Sequence, residues 1–136
     1  MISMQGRSIE EIIRLANAGY FDNNHQTRML SHRGQQIPID LDLCDLIKKI
    51  WDLGIETKFS CQGDNEFDRS GYIAFDKEGI ILFFFHFPHA INIVGIDVAA
   101  GNQIKYLNFQ ELMNFNQPGN MFSIRFRNDQ IKDILN

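Results

Sequence analysis

The residues of this chain best suited to chemistry fall in one short segment, Ser60-Cys61-Gln62-Gly63-Asp64. Cys61 offers a sulfur that can serve as nucleophile or metal ligand, and Asp64 offers a carboxylate, so these two form the candidate catalytic pair. Gly63 permits positive backbone torsions or close approach of a ligand to the main chain. Ser60, Gln62 and Gly63 form the candidate binding loop, joined by His32 and Arg33 from upstream. Arg33 carries the planar fork that suits a phosphate or carboxylate. A purely structural reading competes: Gly63 turns the chain, Asp64 accepts backbone hydrogen bonds and Cys61 packs as a small apolar residue.

Other constellations are weaker. Cys61-Gln62-Gly63 fits the cysteine-x-glycine nucleophile pattern of caspases, but Ser60 stands where that pattern has alanine and no histidine lies about 50 residues upstream. Convergent thiol chemistry then needs a base from His32, His86 or His89. His86 and His89 flank Pro88, which disfavours the continuous helix on which metal-binding pairs project together, so no metal ligand set is assigned. Asp40, Asp42 and Asp45 read as a helix cap and two solvent-facing helix positions. Arg28, His32 and Arg33 form one basic cluster in sequence, and Arg125 with Arg127 forms another on one face of a strand.

The elements that position these residues follow from periodicity. Ser8 and Glu11 form a capping-box pattern before Ile9, Ile12, Ile13 and Ala16, which predicts a helix over 9–18 ended by Gly19. Residues 20–38 are polar and aperiodic and read as a long loop with a short strand near Gln36. Asp40 then caps a helix whose apolar stripe is Leu43, Leu46, Ile47, Ile50 and Trp51. Ile55, Thr57 and Phe59 alternate with Glu56, Lys58 and Ser60 as in a half-buried strand that delivers Cys61 to its loop. A further strand is predicted over 71–75. The run Ile80–Phe87 is ambiguous between helix and strand; Asp76 as a cap favours helix, and Gly79 counts against it. Strands follow near 92–98, 104–107 and 122–126, then a short C-terminal helix. Early alternation of helix and strand with strands clustered late predicts one domain over 1–136 of the α+β class, a mixed sheet with helices packed mainly on one side.

Composition bounds the rest. At 136 residues the chain can bury a core without staples, and 44% hydrophobic with 22% charged residues is ordinary for a globular domain. The 12 phenylalanines are not ordinary, and they predict an aromatic core. No apolar run approaches the ~20 residues of a membrane span, and no signal-peptide pattern opens the chain. A formal charge of −4 argues against nonspecific nucleic-acid binding. Cys44 on a helix and Cys61 in a loop read as free thiols, hence a cytoplasmic protein. The residues name no cofactor.

Gly54-Ile55-Glu56-Thr57, Ser60-Cys61-Gln62-Gly63-Asp64 and Gly71-Tyr72-Ile73-Ala74-Phe75, preceded by Ile39-Asp40, resemble a group of small bacterial and phage proteins of uncharacterised function with a GI.T..SCQGD…YI.F core, over roughly residues 37 to 76. The segment is also distantly similar to the wybutosine-synthesis methyltransferases, which place Ser-Cys-Ser-Gly-Arg after a strand. That resemblance implies S-adenosylmethionine and a tRNA substrate. Ser60, Cys61 and Gly63 match it, while Gln62 and Asp64 replace the family's serine and arginine.

Three functions fit the sequence. One is a domain binding a small molecule or modified nucleotide at the Ser60–Asp64 loop, closed over by the segment Arg28 to Arg33. A second is a noncatalytic accessory factor of phage or bacterial origin that binds another protein through an exposed aromatic face. The third is a hydrolase or transferase using Cys61. Alkylation of the two cysteines against pH separates the last from the others: a thiol enzyme requires Cys61 to react below the ordinary thiol pKa of ~8.5 while Cys44 stays protected, and equal inertness removes covalent catalysis.

Overall fold

The computed structural model describes residues 9, 25–64, 70–117 and 119–136. The helix read over 9–18 and the loop residues 65–69 lie outside this set, apart from Ile9, which is helical and donates its N–H to the Asn102 carbonyl at 2.8 Å.

The first described segment corrects the sequence reading. Where the sequence reads as a loop to Pro38 with a short strand near Gln36, the chain forms a β-hairpin of β1 (Thr27–His32) and β2 (Gln35–Asp40). Arg33 and Gly34 make the turn with φ of 52° and 78°, the paired positive torsions that match the twist of two-residue hairpins. The turn fixes the register, so Thr27 pairs with Asp40. A 3-10 turn over Leu41–Leu43 leads into helix α1 (Cys44–Asp52). Asp40 makes no side-chain capping bond there, contrary to expectation, because its carboxylate is engaged elsewhere. The apolar stripe behaves as predicted: Leu43, Leu46, Ile47 and Ile50 are fully buried.

The main sheet contains β3 (Ser60–Cys61), β4 (Gly71–Phe75), β5 (Gly95–Ala100), β6 (Gln103–Leu107) and β7 (Met121–Phe126), in the order β3-β4-β7-β5-β6. The class is α+β as the sequence implied, but every pairing is antiparallel where a mixed sheet was expected. The strand predicted from Ile55 shrinks to two residues at the sheet edge. Only the Lys58 N–H to Ala74 O and Ala74 N–H to Phe59 O bonds extend it, and Phe59 points outward. An edge strand is held on one side only, so period-two patterning does not oblige it to stay regular.

Helix α2 (Lys77–His86) resolves the ambiguous run. Asp76 caps it by accepting the Gly79 N–H at 2.7 Å. The glycine that counted against a helix sits in a tight space: a Cβ there would lie 3.0 Å from the Asp76 carboxylate and 3.3 Å from both the Glu56 carbonyl and Phe75. A 3-10 turn over Pro88–Asn92 replaces the start of the strand expected near 92. Helix α3 (Phe109–Asn114), which the sequence reading missed, opens with a reciprocal capping box between Asn108 and Glu111. Helix α4 (Ile131–Leu135) ends the chain.

The described helices share one core. Leu46 and Ile50 of α1, Ile80 and Phe83 of α2, Leu112 of α3 and Ile134 of α4 cluster with Ile73, Phe75, Val98, Phe122 and Ile124 of the sheet. Phe83 is its aromatic hub, ringed by Phe75, Phe84 and Phe87 at 4.8–5.5 Å between centroids. Phe85, 74% exposed on the outer side of α2, and the outward-pointing Phe59 are exceptions to the predicted phenylalanine core. No described helix is long and apolar enough to cross a membrane.

Gly71 sets how β3 leaves the sheet. A Cβ at this position would sit 2.5 Å from the Phe126 ring and 2.8–2.9 Å from the carbonyls of Gln62 and Cys61. Gly71→Ala therefore forces the Cys61–Gln62 backbone away from β4, and urea unfolding will show a loss of about 1–3 kcal/mol.

Candidate functional site

The site forms where two sheets meet. β2 ends at Asp40 and β3 ends at Cys61, and the hairpin register brings His25, two residues before β1, level with the end of β2. The His25 Nδ1 lies 3.1 Å from Asp40 Oδ2 and 4.0 Å from the Cys61 Sγ. His25 Nδ1, a carboxylate oxygen of Asp40 and Cys61 Sγ all fall within 4.8 Å of one another, and all three residues are half-buried.

Gln62 locks this arrangement. Its N–H donates to Asp40 Oδ2 at 2.9 Å, its side-chain oxygen accepts the Asp42 N–H at 2.9 Å, and its carbonyl accepts from Asn128 Nδ2 at 3.2 Å. Asn128 also donates to the Asp42 carboxylate at 3.0 Å, tying in the segment before α4. Gln62, expected to contact ligand, thus holds Asp40 and the loop in place. Gly63 adopts φ of 76°, the positive torsion anticipated for it, and is buried. Asp64 is half-buried in an isolated β-bridge.

From Cys61 a polar row crosses the second face of the sheet, opposite the core. Directly paired residues of antiparallel strands project to the same side. Cys61 pairs with Tyr72, Tyr72 with Arg125, and Arg125 with Gly95, two residues before Asp97 on β5. Arg125 Nε donates to Asp97 Oδ2 at 2.5 Å, and its guanidinium carbon stands 5.1 Å over the Tyr72 ring. Asp97 is 2% exposed, and this burial raises its carboxyl pKa against the opposing pull of Arg125. Burial likewise raises the Tyr72 phenol, helped by the charge of Cys61 and opposed by Arg125, so Tyr72 stays a neutral hydroxyl at neutral pH. Two buried side-chain nitrogens have no hydrogen-bond partner among the described residues, His25 Nε2 and Arg125 Nη1, and both belong to this constellation.

His32, Arg33 and Ser60 were predicted to share the site with Cys61 and instead line a separate cleft of about 460 Å³ with Trp51, Glu56 and Phe59. There Glu56 is the anion: its carboxylate lies 2.8 Å from His32 Nε2 and 2.6 Å from Arg33 Nε. His32 stacks on Trp51 at 4.1 Å with rings 12° apart, which fastens the hairpin to α1. His89 bonds the Ile134 carbonyl at 2.8 Å, so its ring secures α4. Its neighbour His86 lies edge-on to exposed Phe85. The histidine beside Cys61 is the one the sequence reading left out. Its signal was Arg33-Gly34 as a hairpin turn, from which the register, and hence the closeness of His25 to Asp40, follows. Tyr72 and Asp97 were also missed, and Arg125 was noted only as part of a basic patch.

Neither Cys61 nor Cys44 forms a disulfide. Cys44 is buried against the Ile39 and Asp40 carbonyls, and burial raises its pKa, which disfavours the thiolate. The Cys61 geometry is not that of a relay through imidazole: Asp40 and Cys61 face the same ring nitrogen, whereas a thiol-imidazole-carboxylate relay uses opposite ones. Comparison with family models, curated proteins and solved structures found no match.

The buried pair makes a pH-dependent prediction. A carboxyl whose folded pKa is raised contributes stability that is present below its unfolded pKa and lost as pH rises through the folded value. Arg125→Met removes the charge that opposes this rise and strands Asp97 in the interior. The variant will lose about 3–5 kcal/mol at neutral pH. Its deficit against the parent will shrink in mild acid, measured by urea unfolding at both pH values.

Proposed function

We propose that the chain is a small-ligand-binding domain whose site is the polar row His25, Cys61, Tyr72 and Arg125, with nucleotides as the first ligand class. The observation that carries this reading is the pair of buried nitrogens at its two ends, His25 Nε2 and Arg125 Nη1, which have no partner among the described residues. A buried donor or acceptor left without a partner costs about 1–3 kcal/mol, so polar nitrogens of this kind call for one. Since Asp97 already neutralises Arg125, the spare Nη1 suits an uncharged acceptor such as a base or sugar oxygen more than a second full anion. The neutral Tyr72 hydroxyl supplies a donor beside it. Relative to the sequence expectation, the site moves from the Arg33 side of Ser60 to the Arg125 side, because Glu56 occupies Arg33.

A protein partner is the second reading, favoured by the exposed Phe85 on α2. The two are separated by nuclear magnetic resonance titration of the full chain, in EDTA, with the four ribonucleoside monophosphates as probes. Binding at the row moves the Arg125 side-chain and His25 resonances saturably, and Arg125→Lys, which keeps the charge but loses the fork, weakens the titration at least tenfold. Unmoved resonances with all four probes, or equal binding by Arg125→Lys, exclude this site for nucleotides.

A further inference from the structure

We infer that His25, Asp40 and Cys61 form a binding site for a soft divalent transition metal of the zinc type. The inference deepens the ligand-site reading, since it places an ion at the head of the same polar row. Three donor atoms of different kinds, one nitrogen, one carboxylate oxygen and one sulfur, converge from three separate chain positions. At tetrahedral angles and zinc bond lengths of about 2.0–2.3 Å, such donors stand roughly 3.5 Å apart. The observed separations bracket that value, with His25 Nδ1 at 3.1 Å from Asp40 Oδ2 and at 4.0 Å from Cys61 Sγ. The third separation, from the Asp40 oxygen to Cys61 Sγ, lies within 4.8 Å, so the three donors already surround one point and side-chain movement closes them on an ion.

The convergence on one imidazole nitrogen, which defeats a proton relay, is what a metal requires. The outer shell fits at Asp40, because ligating carboxylates are usually oriented by hydrogen bonds of their own, and the Gln62 N–H donates to Asp40 while the Gln62 side chain and Asn128 hold that backbone still; the other ring nitrogen of His25 has no such partner among the described residues. Sulfur and imidazole select zinc, cobalt or copper over magnesium or calcium, which take oxygen. Three protein ligands leave one position of a tetrahedron for a water or a ligand atom, the arrangement of reactive rather than purely structural zinc sites. Binding proceeds with loss of the Cys61 thiol proton to solvent, so affinity rises with pH as the thiolate becomes available.

Cobalt(II) added to the EDTA-treated and dialysed full chain tests this directly. The expected result is one equivalent bound, with the visible bands of four-coordinate cobalt and a near-ultraviolet sulfur-to-cobalt charge-transfer band, both bleached by zinc. Cys61→Ala loses the charge-transfer band, His25→Ala weakens binding at least tenfold, and Cys44→Ala changes nothing. Circular dichroism checks that each variant is folded, and Cys61→Ser repeats the reading with a near-isosteric side chain. Absence of a charge-transfer band in the parent chain, or a band that survives Cys61→Ala and disappears with Cys44→Ala, overturns the site. Because cobalt is read without nucleotide and the nucleotide titration is run in EDTA, either proposal can fail while the other stands.

Discussion

The carboxylate of Asp40 is the point on which the arrangement depends. It ends the second strand of the hairpin, faces His25 from the chain before that hairpin, and accepts the N–H of Gln62 from the loop after β3. One acidic group thereby joins a two-stranded sheet to the edge of a five-stranded one. A half-buried carboxylate gives up water to do this, and two directed contacts to one oxygen recover that cost only if both partners are held in place. Gln62 and Asn128 hold one side and the tight turn at Arg33-Gly34 holds the other.

The two faces of the main sheet divide the work of the fold. One carries isoleucine, valine and phenylalanine into a core that α1, α2, α3 and α4 complete. The other carries Cys61, Tyr72, Arg125 and Asp97 in a line made by pairing across four neighbouring strands. Tyr72, Arg125 and Asp97 are held rigidly, because each lies on a strand whose opposite side is locked into the core. Its polar groups depend on each other through charge as well as position: Arg125 opposes the rise in pKa that burial imposes on both Asp97 and Tyr72.

The cleft beside Trp51 shows the contrary case, a set of binding-type residues given to structure. His32, Arg33 and Glu56 satisfy each other, and the stacking of His32 on Trp51 anchors the hairpin. Residue type alone did not separate this cluster from the Cys61 cluster, since both contain a histidine and a carboxylate. The separation came from the hairpin register, which places His25 beside Cys61 and His32 beside Trp51 and Glu56.

The sequence by itself determined the α+β class, the buried stripe of α1, the Asp76 cap and the strands at 71–75 and 122–126. These are local properties, readable because periodicity, capping residues and turn glycines act over a few neighbours. Tertiary structure alone decided which histidine meets Cys61, because His25 reaches it only through the register of a hairpin whose polar strands carry no strong alternation. It also decided that the sheet is antiparallel throughout and that Arg125 lies in line with Cys61. Both are facts of pairing between strands far apart in sequence, where the side that a residue faces depends on the partner strand and not on its own neighbours.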